Sequence, residues 1–312
     1  MEKNSKIYVA GHTGLVGSAI LRKLNDEGYN NVLVKSRKEL DLTDQFAVER
    51  FFDSERPEYV FLAAAKVGGI NYNKLYPADF ITENLQIQTN VIKSSHDYKV
   101  KKLLFLGSAC IYPKITEQPI KEEYLMTGPL EPTNDGYAIA KIAGLTMCQK
   151  YRKQYGFNCI SLMPTNLYGI GDRFNIEHGH VIPGLINKFV TAKENNADTI
   201  TCWGDGSPTR EFLFGDDLAD ACIFAMNNYD SEEIINVGID NEITMKELAE
   251  KLKELTEFEG EIIWDTSKPN GTPRRKVCNE KLYALGWRPK YNLEEGLKIT
   301  IEWFRNNREI CK

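Results

Sequence analysis

The chain has 312 residues, 42% hydrophobic and 27% charged, which is ordinary globular usage and excludes disordered and fibrous classes. A net charge of −5 argues against a nucleic-acid binder, which usually carries a basic face, so an anionic ligand must be held by a few local basic groups and backbone amides. The longest strongly apolar stretch, Tyr59 to Ala65, is far short of the roughly 20 residues that cross a bilayer, and seven cysteines without a CxxC pair point to reduced thiols.

In chain order, the charged Met1-Glu2-Lys3 leads directly into a buried strand, Lys6 to Ala10, with no signal peptide, so a cytoplasmic location is expected. The spacing of apolar residues then predicts a helix over Leu15–Glu27, a strand over Asn31–Val34 and a helix over Phe46–Arg56. Further on it predicts a strand over Tyr59–Ala63, a long helix over Ala78–Tyr98 and a strand over Leu103–Leu106. A second long helix, Tyr137–Tyr155, precedes a strand over Cys159–Leu162. This alternation predicts an α/β fold, a doubly wound parallel sheet covered on both faces. Past residue 165 it weakens into glycine, proline and charged loops such as Trp203-Gly204-Asp205-Gly206-Ser207-Pro208. The expected division is a nucleotide-binding domain over 1–165, rejoined by part of 210–240, and a smaller α/β substrate-binding region over 166–312.

Gly11-His12-Thr13-Gly14-Leu15-Val16-Gly17 is a GxxGxxG run between a strand and a helix. In that setting glycines allow a tight turn and close approach, and the helix N-terminus offers amides to a pyrophosphate, so the domain reads as Rossmann-type. Gly11, Thr13, Gly14, Leu15, Val16 and Gly17 are therefore cofactor-binding candidates. An NAD enzyme usually places an acid at the end of the second strand, whereas here Lys35-Ser36-Arg37-Lys38 stands there. Ser36 and Arg37 suit a 2′-phosphate, which favours NADP(H); the plainer reading is a solvated basic turn. Asp41 either passes near the adenine or caps the helix that follows.

Tyr137 and Lys141 form a YxxxK pair on one helical face, where an ammonium would favour the phenolate and lower the tyrosine pKa. Tyr98 and Lys102 fit the same pattern but sit at a helix end and read as surface structure. What separates Tyr137 is Ser108, at the carboxyl edge of the strand ending near Leu106, where open parallel sheets bind ligands. Strand end, helix pair and glycine loop together describe a hydride-transfer site.

Several blocks resemble the GDP-L-fucose synthase family, within the extended short-chain dehydrogenase/reductase superfamily: Gly11 to Gly17, Ala64-Ala65-Lys66-Val67-Gly68-Gly69-Ile70, Gly107 to Pro113 and Glu131-Pro132-Thr133-Asn134. So do Tyr137 to Gly144, Met163-Pro164-Thr165-Asn166-Leu167-Tyr168-Gly169 and Arg210-Glu211-Phe212, so the resemblance runs over nearly the whole chain. It departs at Thr13, where the family often carries arginine, and over 171–179. The resemblance implies a dimeric NADPH-dependent enzyme that inverts C3 and C5 of GDP-4-keto-6-deoxymannose and reduces C4. It assigns Ser108, Tyr137 and Lys141 to reduction, and adds Ala64, Pro164, Asn166 and Leu167 to the cofactor set.

The resemblance also makes Cys110 the base and His180 the acid of epimerisation. Cys110 lies two residues past Ser108, and an extended backbone there would turn both side chains into one pocket. Taken alone, Cys110 reads as a small packed hydrophobe and His180 as a loop residue. His178 competes for the histidine role, but Val181-Ile182-Pro183 anchors the match at His180. The His-x-His spacing hints at a metal, yet no ligand cluster accompanies it and none is expected. Ser108, Asn166, His180, Lys188, Trp203, Arg210 and Lys268 are the substrate-side candidates, while Arg274 and Arg275 read as a solvated face. Relatives acting on GDP-linked 4-keto heptoses supply the alternative substrate, and a non-catalytic NADP-binding sensor the alternative class. An acidic pair where Ala109 and Cys110 stand would mark a dehydratase.

Overall fold

A computed structural model describes every residue except 176–178, 269, 310 and 312, with Ile70 described by its backbone only. His178 and Pro269 thus lie outside the described residues.

β1 (Ile7–Ala10) is an unbroken buried run, as a strand covered on both faces requires. The chain turns at Gly11 into α1 (Leu15–Asp26), which buries Ala19, Ile20 and Leu24, and returns through β2 (Val32–Leu33). Asp44 caps α2 (Gln45–Glu55), its side chain accepting from the Ala47 amide at 3.0 Å. The sequence offered Asp41 for that cap; Asp41 accepts instead from the Thr43 amide and hydroxyl, at 2.9 and 2.8 Å. Next come β3 (Tyr59–Leu62), the short α3 (Ile70–Leu75) and α4 (Pro77–Asp97), which opens on a proline whose missing N–H has no partner to lose. β4 (Lys102–Leu106) runs into a 3-10 turn, Ala109–Ile111. α5 (Asp135–Tyr155) closes on Gly156 at φ +67, and β5 (Cys159–Pro164) follows.

Beyond β5 come β6 (Asn166–Tyr168), α6 (Val181–Glu194), β7 (Thr199–Trp203), β8 (Thr209–Arg210) and β9 (Phe212–Phe214). α7 (Gly215–Asn228) and β10 (Ile235–Val237) return to the main sheet. The chain ends with β11 (Ile243–Thr244), α8 (Met245–Thr256), β12 (Glu261–Asp265), β13 (Arg274–Arg275), α9 (Glu280–Ala284) and α10 (Leu293–Asn306).

The main sheet has the order β10-β5-β4-β3-β1-β2, with every pairing parallel. One face packs on α2, α4 and α5 through Phe52, Val91 and Leu145; the other packs on α1 and α7 through Ile20, Leu24, Leu218 and Cys222. A third core, built from Phe174, Phe189, Leu252, Leu297 and Phe304, lies in the second region among α6, α8 and α10. Small sheets, β11-β8-β13, β12-β7 and β6-β9, complete that region. The chain steps out from β1 to β2 and then back across β1 to β3. That reversal opens a crevice at the carboxyl ends of β1 and β3, where such sheets bind ligands.

Lys102 is not surface structure. It is buried at the start of β4, and its ammonium donates to the carbonyls of Ala225, Met226 and Tyr229 at the end of α7. Burial lowers its pKa to about 8. The YxxxK match at Tyr98 is thus spent on holding α7 to the sheet.

Candidate active site

Three chain segments meet at the reversal point. Gly11 adopts φ +91, and a Cβ there would lie 2.7 Å from the backbone of Ala64, which follows β3. A Cβ on Gly17 would lie 2.0 Å from the Gly11 carbonyl oxygen, so only glycine lets α1 seat this close to the turn. Gly14 is the N-cap and carries no side chain over the helix end, so the first-turn amides, including Leu15 and Val16, stay open toward the crevice. Thr13 is exposed at its lip. This cradle fits a dinucleotide pyrophosphate.

The end of β2 is more acidic than the sequence suggested. The Arg37 guanidinium is largely exposed and lies 3.4 Å from Glu83 and 3.7 Å from Asp41. Ser36 donates from its hydroxyl and amide to Glu39, at 2.6 and 2.8 Å, which holds the Glu39 carboxyl below its usual range. A 2′-phosphate here would exchange carboxylate partners for its own charge. Asn84 of α4 holds the neighbouring Ala64–Ile70 segment: its amide accepts from the Lys66 N–H and donates to the Lys66 carbonyl, at 2.9 and 3.0 Å.

At the end of β4, Ser108, Cys110 and Tyr137 come together. The Ser108 hydroxyl lies within hydrogen-bonding reach of the Tyr137 phenol, and Cys110 is close enough to act on it electrostatically. The backbone is not extended through this stretch. Ser108 caps the 3-10 turn by accepting from the Cys110 amide at 3.2 Å, and the turn does what period-two alternation was expected to do. Lys141 is buried and donates to the Leu106 carbonyl at 2.7 Å, with Nζ 5.8 Å from the centroid of the Tyr137 ring.

The electrostatics reverse one expectation. Burial pushes the Tyr137 phenol well above its ordinary range, helped by Cys110 and only partly offset by Ser108. Burial also pushes Lys141 down to about 8, so the lysine does not make Tyr137 a phenolate. Tyr137 is a neutral phenol, the form that gives a proton.

On the substrate side, His180 is the N-cap residue of α6, and its Nδ1 lies 3.6 Å from Asp172 Oδ1. Among the described residues it makes no hydrogen bond with the Ser108 cluster, and no group of three or more His, Cys, Asp or Glu could hold a metal ion. Asn166 starts β6 and donates to the Glu211 carbonyl at 3.1 Å; Pro164 and Leu167 flank it, the first buried and the second half-buried. Lys188 donates to the Thr201 carbonyl at 2.6 Å. Trp203 is 56% exposed, with the Lys268 ammonium 5.9 Å from its ring centre. Arg210 is half-buried, donates to its neighbour's carbonyl and faces the charge of Arg275.

Arg274 pairs with Glu242 at the surface, as a solvated charge does. Arg275 does not. It is half-buried and donates to the carbonyls of Ala109 and Tyr112, at 2.7 and 3.2 Å, on either side of Cys110. Sequence reasoning missed Arg275, Asn84 and Asp172, because each acts through a partner 18 or more residues away or, for Asp172, through a loop of no recognisable spacing.

Residues 7–238 match the family described as the NAD dependent epimerase/dehydratase family. The chain belongs to that family. A protein named putative GDP-L-fucose synthase 2, from Arabidopsis thaliana, is 59% identical over 307 residues, 98% of this chain and 94% of that protein. Among solved structures, a GDP-mannoheptose C4 reductase from Campylobacter jejuni with NADP bound is 41% identical at a TM-score of 0.90, covering 98% of this chain and 99% of that one. A GDP-L-fucose synthetase from Naegleria fowleri bound to NADP is 32% identical at a TM-score of 0.92, covering 100% and 98%.

Proposed function

We propose that the chain is an NADPH-dependent enzyme that epimerises C3 and C5 of GDP-4-keto-6-deoxymannose and reduces its C4 ketone, giving GDP-L-fucose. The observation that carries this reading is the meeting of Ser108, Cys110 and the buried Tyr137 at the carboxyl end of β4, beside the glycine cradle. Identity to GDP-L-fucose synthases over nearly the whole chain supports the sugar. NADP in two structures this similar supports the cofactor.

Gly11, Thr13, Gly14, Leu15, Val16 and Gly17 would hold the pyrophosphate, Ser36 and Arg37 the 2′-phosphate with Asp41 beside them, and Ala64, Pro164, Asn166 and Leu167 the remainder. Bound there, NADPH supplies the hydride. Ser108 holds the C4 carbonyl oxygen by donating to it, and Tyr137 gives that oxygen its proton. Lys141, fixed on the Leu106 carbonyl, orients the nicotinamide end and the tyrosine. In epimerisation the Cys110 thiolate takes a proton from the carbon next to the ketone, where the carbonyl has made it acidic, and His180 returns one from the other face. Lys188, Trp203, Arg210 and Lys268 would receive the GDP portion, with Arg210 giving bidentate hydrogen bonds to its phosphates.

The test is incubation with NADPH and GDP-4-keto-6-deoxymannose in deuterated water. The expected product is GDP-L-fucose with deuterium at C3 and C5; reduction without deuterium would remove the epimerase half. The heptose reductase similarity favours a second reading, a C4 reductase of a GDP-4-keto heptose, and faster turnover of that ketone would establish it. All seven cysteines are free, which fits the proposed cytoplasmic setting. The proposed assembly is a homodimer through α4 and α5.

A further inference from the structure

Asp172 is the most confined charge beside the site that the proposed reaction leaves unused. It follows Gly171, which sits at φ +80, and its side chain is only 4% exposed. Oδ1 accepts from the Arg173 amide at 2.7 Å and lies at ion-pair distance, 3.6 Å, from His180 Nδ1. Oδ2 is buried with no hydrogen-bond partner among the described residues. A buried oxygen left unsatisfied costs about 1–3 kcal/mol, so a carboxyl this confined favours a cation close to its other oxygen. The Arg173 guanidinium reaches away, toward the Val67 carbonyl at 3.4 Å. Among the described residues, the His180 ring remains.

That ring is not committed to its helix, for His180 caps α6 through its backbone and makes no side-chain bond to the first turn. The His180 side chain is 44% exposed, so partial desolvation, the charge of Arg173 and the positive end of α6 oppose a charged imidazole there. The contact with Asp172 and its negative charge outweigh them and hold the imidazole pKa above its ordinary value.

We propose that Asp172 is the positioning residue for His180: it takes the Nδ1–H, fixes the ring with Nε2 on its free edge, and keeps it charged as the acid of epimerisation. The proposal deepens the function proposed above and rests on it. In the step, the carbon–hydrogen bond beside the ketone breaks and its proton goes to the Cys110 sulfur. A proton from His180 Nε2 makes the new carbon–hydrogen bond on the opposite face. Nothing is oxidised or reduced, and solvent returns a proton to Nε2 and takes one from the sulfur. A neutral ring with its proton on Nδ1 would leave Nε2 bare, with nothing to give.

The experiment is a proton NMR titration of the chain's four imidazole rings, with His180 assigned by His180→Gln. In the unaltered protein its pKa should lie above the ordinary 6.5. Asp172→Asn should lower it by about one unit or more, the scale of a charge this near. One unit is tenfold in imidazolium, so deuterium wash-in at C3 and C5 should fall about tenfold at alkaline pH, its alkaline limb moving down with the pKa. Asp172→Glu should restore part of both. A merely structural Asp172 would lower the melting temperature and leave that limb in place, which would overturn the proposal. So would a His180 pKa at or below 6.5 in the unaltered protein, a result that needs no variant to fold. Failure of the underlying function is distinct: His180→Gln would then exchange deuterium at the unaltered rate.

Discussion

A tyrosine that gives a proton has to hold one first. Burial does this for Tyr137, and the Ser108 hydroxyl beside it aligns the phenol without making it acidic. Replacing it with phenylalanine keeps the ring packing and removes the proton. Tyr137→Phe should therefore cut turnover by about 10²- to 10⁴-fold while NADPH still quenches intrinsic fluorescence at the same concentration. Turnover within a few-fold of the unaltered protein would dismiss this role. Arg37 tests the other end of the cofactor. It now shares its charge with Glu83 and Asp41, so a 2′-phosphate gains a partner already poised at the rim. Arg37→Ala should weaken NADPH about tenfold and leave NADH unchanged, as titration calorimetry with both would show. Equal losses for the two would mean that Arg37 holds the loop and not the phosphate.

At the scale of elements, Glu211 joins β8 to β9 at the seam between the two regions. Its side chain is fully buried beside Thr165 and the Val277 backbone, which offset burial only in part, and burial pushes its pKa up to about 8. Between the ordinary value of 4.5 and 8 the folded chain therefore holds a proton that the unfolded chain releases. Stability from this group is full at acid pH and declines as pH rises through that window. Glu211→Gln should flatten the decline in urea midpoints from pH 5 to pH 8, and an unchanged slope would refute the assignment. The principal strands and helices up to β5 were legible in the sequence to within a few residues from their apolar spacing, whereas α6, α8 and α10 beyond it were not placed. The strands of two or three residues, β6, β8, β9, β11 and β13, were not, since tertiary partners and not patterning make them strands. The turn at Ala109–Ile111 was hidden for a similar reason: a serine hydroxyl, not a backbone preference, closes it. Ser108, Tyr137 and Lys141 could be read because strand end and helix spacing fix them. Arg275 looked like one of two adjacent surface arginines until β13 carried it to the Cys110 turn.

For the whole molecule, the outward face of α5 bears on assembly. Tyr137 and Lys141 turn inward on this helix, while Ile139 is 46% exposed and Thr146 and Lys150 share its outer side. An aliphatic side chain on the outer face of the helix that carries Tyr137 suits a symmetric partner helix. Light scattering should give twice the chain mass for the unaltered protein, and Ile139→Glu should halve it without loss of helical signal. A monomer at micromolar concentration would remove the dimer.

The return of β10 also has a consequence for how the protein is born. β5 is complete at Pro164, but the strand that covers its open edge ends only at Val237, and α7, which shields one face of the sheet, lies between them. A ribosome adds those residues over about 4–15 s at ordinary speeds. Throughout that interval Leu104, Leu106 and Leu162 face water from a half-roofed sheet beside an unpaired edge. The sheet is least protected while the residues between β5 and β10 are still being made.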